Sequence, residues 1–474
     1  MRRRLATARH SSARFTTRCT GAELEVATTI HRETGKPVAE ALAAEVAVTL
    51  DMASFVSREA PMFARAPWFT PSSLALWRKR VQIAHEPHGV IGVISPWNYP
   101  FMLPAGVVLS ALATGNAVVL KPSELTPSSA ALLGDLLTEA GLPPGLLSVV
   151  QGDGQTGAAL ATGGIDKLFF TGSVATGRRV SVACAEQFVP CVLELGGSDA
   201  AIVLDDADIE HAASGIVWGR CANAGQTCVA PKRVFVEAAR AEALTRAIGD
   251  RLQRLRVGAD DATYDMGPLI RPSQRDAVDA QLRDAVSRGA VLVAGAISDS
   301  GAPTALPALL TDVPHDARVW HEETFGPILP VMAVRDDADA IARANDSAFG
   351  LSASVWSRNR TRAVRVAQQL RAGTVMINDV SAVAGMADVP HGGVKASGTG
   401  RSHGLMGLEE CVRTHTIIDD RFSAWRQPWW FGYAPSRLSH LDAFLRLAHG
   451  TTLRERISGI PGTLRLLRAP ERPI

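Results

Sequence analysis

Nine short runs rich in Val, Ile, Leu and Phe, separated by stretches with apolar residues at helical spacing, constrain this chain more than any other feature. GVIGVIS (89–95), NAVVLK (116–121), LLSVVQ (146–151), DKLFFT (166–171) and CVLEL (191–195) form a first series. AAIVLD (200–205), KRVFVE (232–237), ASVWS (353–357) and GTVMIN (373–378) form a second. Helical segments such as 128–140 and 211–221 lie between them, and residues 20–58 read as two helices joined at Gly35 to Pro37. Alternation of this kind predicts an α/β fold with two doubly wound parallel sheets, whose ligands bind outside the carboxyl ends of the strands. The Gly-rich join from Leu195 to Asp199 is placed as a hinge between them.

With 474 residues the chain exceeds what one core organises, so two or three domains are expected. Lys and Arg number 49 against 47 Asp and Glu, which supplies no field to concentrate nucleic acid; none is expected as a partner. Six scattered cysteines form neither a disulfide framework nor a CxxC metal pair, so a reducing, cytoplasmic setting without a metal site is expected. No window approaches the ~18 to 20 apolar residues of a membrane span. The first twenty residues carry six Arg and no acid, open to three readings: a disordered or misassigned start, a solvated helix, or a targeting segment.

Several motifs can carry chemistry. GQTC (225–228) sets Cys228 beside small residues, the exposure that a nucleophilic thiolate needs, although an isolated cysteine is more often a packing residue. Glu194, amid leucines in LELGG, is placed as a general base or as a salt-bridged strand end. PWNYP (96–100) holds Asn98 between prolines, where its amide can face an oxyanion or simply complete a turn. Two turns compete for a dinucleotide phosphate: GDGQTG (152–157), which fits G-x-G-x-x-G, and FTGS (170–173), which opens the next helix. KPSE (121–124) ends a strand with groups suited to ribose hydroxyls.

Taken together these blocks resemble the aldehyde dehydrogenase superfamily. The resemblance runs from ETGKP (33–37) to about Ile418 through PWNYP, KPSE, FTGS, LELGG, GQTC, EETFGP (322–327), NDSAFGLSASVW (345–356) and HGGVKASGTGR (391–401). The separation of Glu194 and Cys228 matches the family's usual one, and NAGQTC followed by VAP, with aliphatic Val107, looks most like the class-three group of fatty and aromatic aldehyde enzymes.

The resemblance implies a catalytic trio of nucleophile Cys228, base Glu194 and oxyanion donor Asn98. It places Lys121, Ser123 and Glu124 at the adenosine ribose, Gly172 and Ser173 at the pyrophosphate, and Glu323 and Phe325 at the nicotinamide ribose and ring. GDGQTG then becomes a structural turn. NAD is expected ahead of NADP, because Glu124 would repel a 2′-phosphate. The implied product is a free acid; the rivals are a coenzyme A-acylating enzyme and a catalytically silent scaffold. The substrate is a small-molecule aldehyde, and no Arg stands out to bind a substrate carboxylate. The implied domains are 1–68 with 88–196 for NAD(P), 197–404 for catalysis, and 69–87 with 405–418 as a small β oligomerisation arm of a homodimer or homotetramer.

The chain departs from the family in a shortened Arg-rich start, in His391 where many members carry Phe, and in Ser198 where Lys usually follows. His391 is expected to pack or to hydrogen-bond. Residues 419–474 form an extension rich in Trp, Phe, Tyr and Arg, read first as packing on a dimer or capping the substrate tunnel, with peripheral membrane contact as the alternative.

Overall fold

A computed structural model of the protein describes residues 14–258, 264–296, 305–422, 430 and 435–468. The first thirteen residues and Trp425, Trp429, Phe431 and Tyr433 lie outside the described residues. The chain divides into a large unit, 1–64 with 86–413, and a small one, 65–85 with 414–474.

In the large unit the first series forms a six-stranded sheet in the order Gly398–Thr399, Cys191–Leu195, Lys167–Gly172, Val90–Ile94, Ala117–Lys121, Leu147–Val149. All neighbours are parallel except Gly398–Thr399, which runs against Cys191–Leu195. Helices Met102–Ala113, Pro127–Glu139, Gly154–Ala161 and Val174–Glu186 make the crossovers. Chain order reverses at the central strand Val90–Ile94. The crevice between its end and that of Lys167–Gly172 is therefore the place where a doubly wound sheet takes a ligand. PWNYP and FTGS follow those two strands. GDGQTG instead follows the edge strand Leu147–Val149 and opens helix Gly154–Ala161 under an Asp153 cap, which gives its glycines a structural use away from the crevice.

The second series forms a seven-stranded sheet in the order Val291–Ala294, Ala308–Thr311, Ile328–Val334, Pro231–Glu237, Asp199–Val203, Ser352–Trp356, Thr374–Ile377, antiparallel only between the first two strands. Gly196 to Ser198 link the two sheets. Strands Asp199–Val203 and Pro231–Glu237 are buried along their whole length, as parallel strands covered on both faces must be.

The helix predicted after Pro37 is interrupted by a π-helical turn, Leu42–Ala47, between Val38–Ala41 and Val48–Glu59. Such turns rotate one residue out of helical register, often at functional sites. Here the displaced region carries Glu45, which is fully buried.

The small unit contains Trp68–Phe69, most of Lys79–Pro87 and most of Val412–Asp420, strands of one three-stranded sheet, together with a hairpin of helices Pro435–His449 and Leu453–Arg468. No helix among the described residues is long and apolar enough to cross a membrane.

Candidate active site

Cys228 stands on a short connection whose backbone is held from several sides. Helix Ile209–Cys221 runs into a tight turn in which Asn223, Ala224 and Gly225 all have positive φ, at 50°, 54° and 75°. Left-handed Asn and Ala residues are costly, and persist where surrounding bonds over-determine them. Those bonds are present: Asn223 Nδ2 donates to the Asn98 carbonyl at 2.8 Å, and Gln226 Nε2 to the Asn223 carbonyl at 3.0 Å. The Arg220 guanidinium, fully buried, donates to the Gly225 carbonyl. Lys232 Nζ donates to the carbonyls of Thr227 at 3.0 Å and Cys228 at 2.7 Å.

Asn98 is brought to this connection from the other sheet. Its Nδ2 donates to the Gln226 carbonyl at 3.1 Å, two residues before Cys228, which fixes the amide plane and engages one of its two hydrogens. Tyr99 OH bonds Thr227 Oγ1 at 2.8 Å. Beneath the loop, Lys36 Nζ reaches the Asn98 carbonyl at 3.1 Å, pairs with Glu45 Oε1 at 2.5 Å and lies 4.0 Å over the Tyr99 ring. Glu45 Oε2 in turn accepts from the backbone N–H groups of Phe101 and Met102, where the following helix begins.

Glu194 lies near the end of strand Cys191–Leu195. Its Oε1 accepts from Ser402 Oγ at 2.5 Å, and its Oε2 is 3.4 Å from His391 Nε2. His391 is therefore a polar neighbour of the carboxylate, as well as a buried ring. It stacks on His403 with centroids 5.5 Å apart, and burial, with His391 alongside, pushes His403 down to about 3, so that ring is neutral.

Cys228 is partly accessible and packs on a buried cluster of Val229, Leu351 and Val383, on which Met376, Ala384 and Val389 also pack. Burial pushes its thiol up to about 12; Lys232 pulls the other way, while Glu194, Glu323 and Asp199 add to the rise. The recess around the sulfur is mostly apolar. Desolvation there outweighs the nearby cation. Lys232 is itself held below the usual lysine range by burial, 3.7 Å from Glu323 Oε1.

Lys121 is buried at the end of its strand, with Nζ 3.3 Å from the exposed Glu124, and Ser123 Oγ accepts from Leu125 N–H. Gly172 closes strand Lys167–Gly172 and Ser173 caps helix Val174–Glu186, its Oγ accepting from Thr176 N–H. The free N–H groups and positive dipole end of this helix suit a phosphate. Glu323 Oε1 accepts from Gly197 N–H at 3.1 Å, and burial raises its carboxyl. Phe325 meets Trp97 edge to face at 5.6 Å. Free N–H groups at a helix start, a lysine–glutamate pair at a strand end and an aromatic pair are the kinds of group that a dinucleotide uses.

The aldehyde dehydrogenase family model matches residues 12–417, most of the chain. The chain belongs to the aldehyde dehydrogenase family. It is 40% identical to 4,4'-diapolycopene aldehyde oxidase of a Methylomonas species over 422 residues, 89% of this chain and 79% of that protein. A betaine aldehyde dehydrogenase of Cereibacter sphaeroides is also 40% identical, over 388 residues, 81% of this chain and 79% of that one. The crystal structure of an NAD-dependent aldehyde dehydrogenase from Sinorhizobium meliloti superposes with a TM-score of 0.84 at 30% identity, covering 90% of this chain and 84% of that one. As a member of this family the protein is an oxidoreductase that acts on aldehydes with NAD or NADP.

The motifs name Cys228, Glu194 and Asn98 but not the residues bonded to them or to their loops. Lys36, Glu45, Asn223, Lys232, Ser402 and His403 were all passed over as site residues. Lys232 left a trace, a lysine in a strand buried at every position. Lys36 stood in ETGKP without a partner that the sequence could name.

Proposed function

We propose that the protein oxidises an apolar aldehyde to a free carboxylic acid through a thioester on Cys228. The Cys228 thiol gives up its proton to solvent at its partly accessible recess, its sulfur attacks the aldehyde carbon, and the oxyanion that forms is held by the second hydrogen of Asn98 Nδ2 and the Cys228 backbone N–H. Lys121, Ser123 and Glu124 hold the adenosine ribose, Gly172 and Ser173 the pyrophosphate, and Glu323 and Phe325 the nicotinamide ribose and ring. NAD(P) supplies a hydride acceptor when bound. Glu194 then takes the proton of the water that cleaves the thioester. A coenzyme A-acylating enzyme needs no such base, so Glu194 favours the free acid. Glu124 favours NAD over NADP by charge.

The observation that carries this reading is the bond from Asn98 Nδ2 to the Gln226 carbonyl, which ties the amide to the loop that presents Cys228. The apolar shell of Val229, Leu351, Met376, Val383, Ala384 and Val389 favours an uncharged substrate, as the aldehyde in the name of the Methylomonas relative is, over a quaternary ammonium that needs aromatic or acidic contacts.

Glu194→Gln tests the chemistry. A burst of one NADH per site followed by slow turnover is expected, because acylation survives and deacylation does not. Unchanged steady turnover would overturn the assignment of Glu194.

A further inference from the structure

The 82 residues of the small unit have a charge balance unlike that of the rest of the chain. Residues 65–85 and 414–474 contain 13 Lys and Arg against 5 Asp and Glu, a net +8 in a chain whose total is +2, which leaves the large unit at −6. They also hold five of the nine tryptophans. Apolar side chains stand exposed on the same unit: Trp68, Phe69, Leu74, Trp77, Phe422 and Trp430.

The helical hairpin orders these features. On helix Leu453–Arg468 the exposed apolar residues are Leu453, Ile457, Ile460 and Leu464, spaced by four, three and four residues, which puts them on one face at about 100° per residue. Arg454, Arg456 and Arg465, all exposed, flank that face, and the helix's only acid, Glu455, points to the opposite side. Leu438 and Leu445 of the partner helix, seven residues apart, are exposed as well. Ile460 and Leu464 also border an open apolar cavity of about 210 Å³ between the hairpin and the segment around Trp77, lined besides by Leu74, Trp77, Phe444 and Leu467.

We propose that the small unit docks the protein on the surface of an anionic lipid bilayer. Leu453, Ile457, Ile460 and Leu464 enter the headgroup boundary, the flanking arginines meet lipid phosphates, and Trp430 sits at interface depth. The charge selects this occupant. The hairpin itself, residues 435–468, carries six Arg against Asp442 and Glu455, and an anionic membrane complements that charge while taking up the apolar face. The helices are amphipathic and charged, so they lie on the bilayer and do not span it. The proposal stands independently of which aldehyde is oxidised.

Co-sedimentation of the full-length protein with vesicles tests it. Binding to phosphatidylglycerol–phosphatidylcholine vesicles is expected, with little to phosphatidylcholine alone and a steep loss as NaCl is raised. Arg454→Glu with Arg465→Glu, and separately Leu453→Asp with Ile457→Asp, should each weaken binding about tenfold or more, while turnover of a water-soluble aldehyde stays that of the unaltered protein. If the unaltered protein fails to sediment with anionic vesicles, or binding ignores both salt and the arginine changes, the proposal falls. It falls equally if the leucine and isoleucine changes only dissociate an oligomer and leave lipid binding intact.

Discussion

Cys228 needs to lose a proton to become a nucleophile, and its surroundings oppose that loss. Burial is the largest contribution, three carboxylates add to it, and only Lys232 relieves it. A thiol held at about 12 supplies thiolate that rises roughly tenfold per pH unit below that value. In the cofactor-free enzyme, alkylation of Cys228 by iodoacetamide should therefore climb without a plateau from pH 7 to 10, as read by intact mass. Lys232→Met removes the one favourable charge, raises the thiol further and should slow alkylation at every pH. A plateau near pH 8, or faster labelling of the variant, would mean that the recess is better solvated than its packing indicates.

At the scale of elements, the oxyanion side of the crevice depends on a π-helical turn some fifty residues away. That turn aims Glu45 at Lys36 and at the N–H groups that open helix Met102–Ala113, and Lys36 completes the link to the Asn98 carbonyl. Both members of the pair are fully buried, so removing one leaves an uncompensated charge. Lys36→Met should cost about 3–5 kcal/mol in denaturant unfolding and slow the NADH burst, and adding Glu45→Gln should restore part of the stability. A single variant as stable as the parent would show that the pair is solvated. None of this network was legible in the sequence, since Lys36 and Asn98 are 62 positions apart and no periodicity encodes their contact. The central strands were legible for the opposite reason. Asp199–Val203 is covered on both faces and carries the apolar run AAIV, and Pro231–Glu237, buried throughout, keeps VFV between charged ends; edge strand Val291–Ala294 is just as apolar (VLVA) although Val291 and Val293 are exposed, so apolar content alone does not separate edge from centre. Cys228, Glu194 and Asn98 could be named because they sit in compact motifs; their bond partners come from distant turns.

Across the whole molecule, the residues proposed to hold the cofactor and those proposed to dock on a surface fall in different units. Lys121, Ser123, Glu124, Gly172, Ser173, Glu323 and Phe325 all belong to the large unit, while the basic hairpin belongs to the small one. A ligand stabilises the elements it contacts, by about 2.7 kcal/mol at a hundredfold excess over Kd. Saturating NAD should accordingly slow amide hydrogen exchange around 170–176 and 322–326 and leave 435–468 unchanged. Anionic vesicles should do the reverse, protecting the hairpin and sparing the crevice. Protection of the hairpin by NAD alone would reveal energetic coupling between the units, and a ligand at one would then shift the affinity of the other by the same factor. Independent protection instead describes an enzyme whose attachment and chemistry are separable. In that case, charge changes on the hairpin alter where the protein resides without altering kcat for a soluble aldehyde.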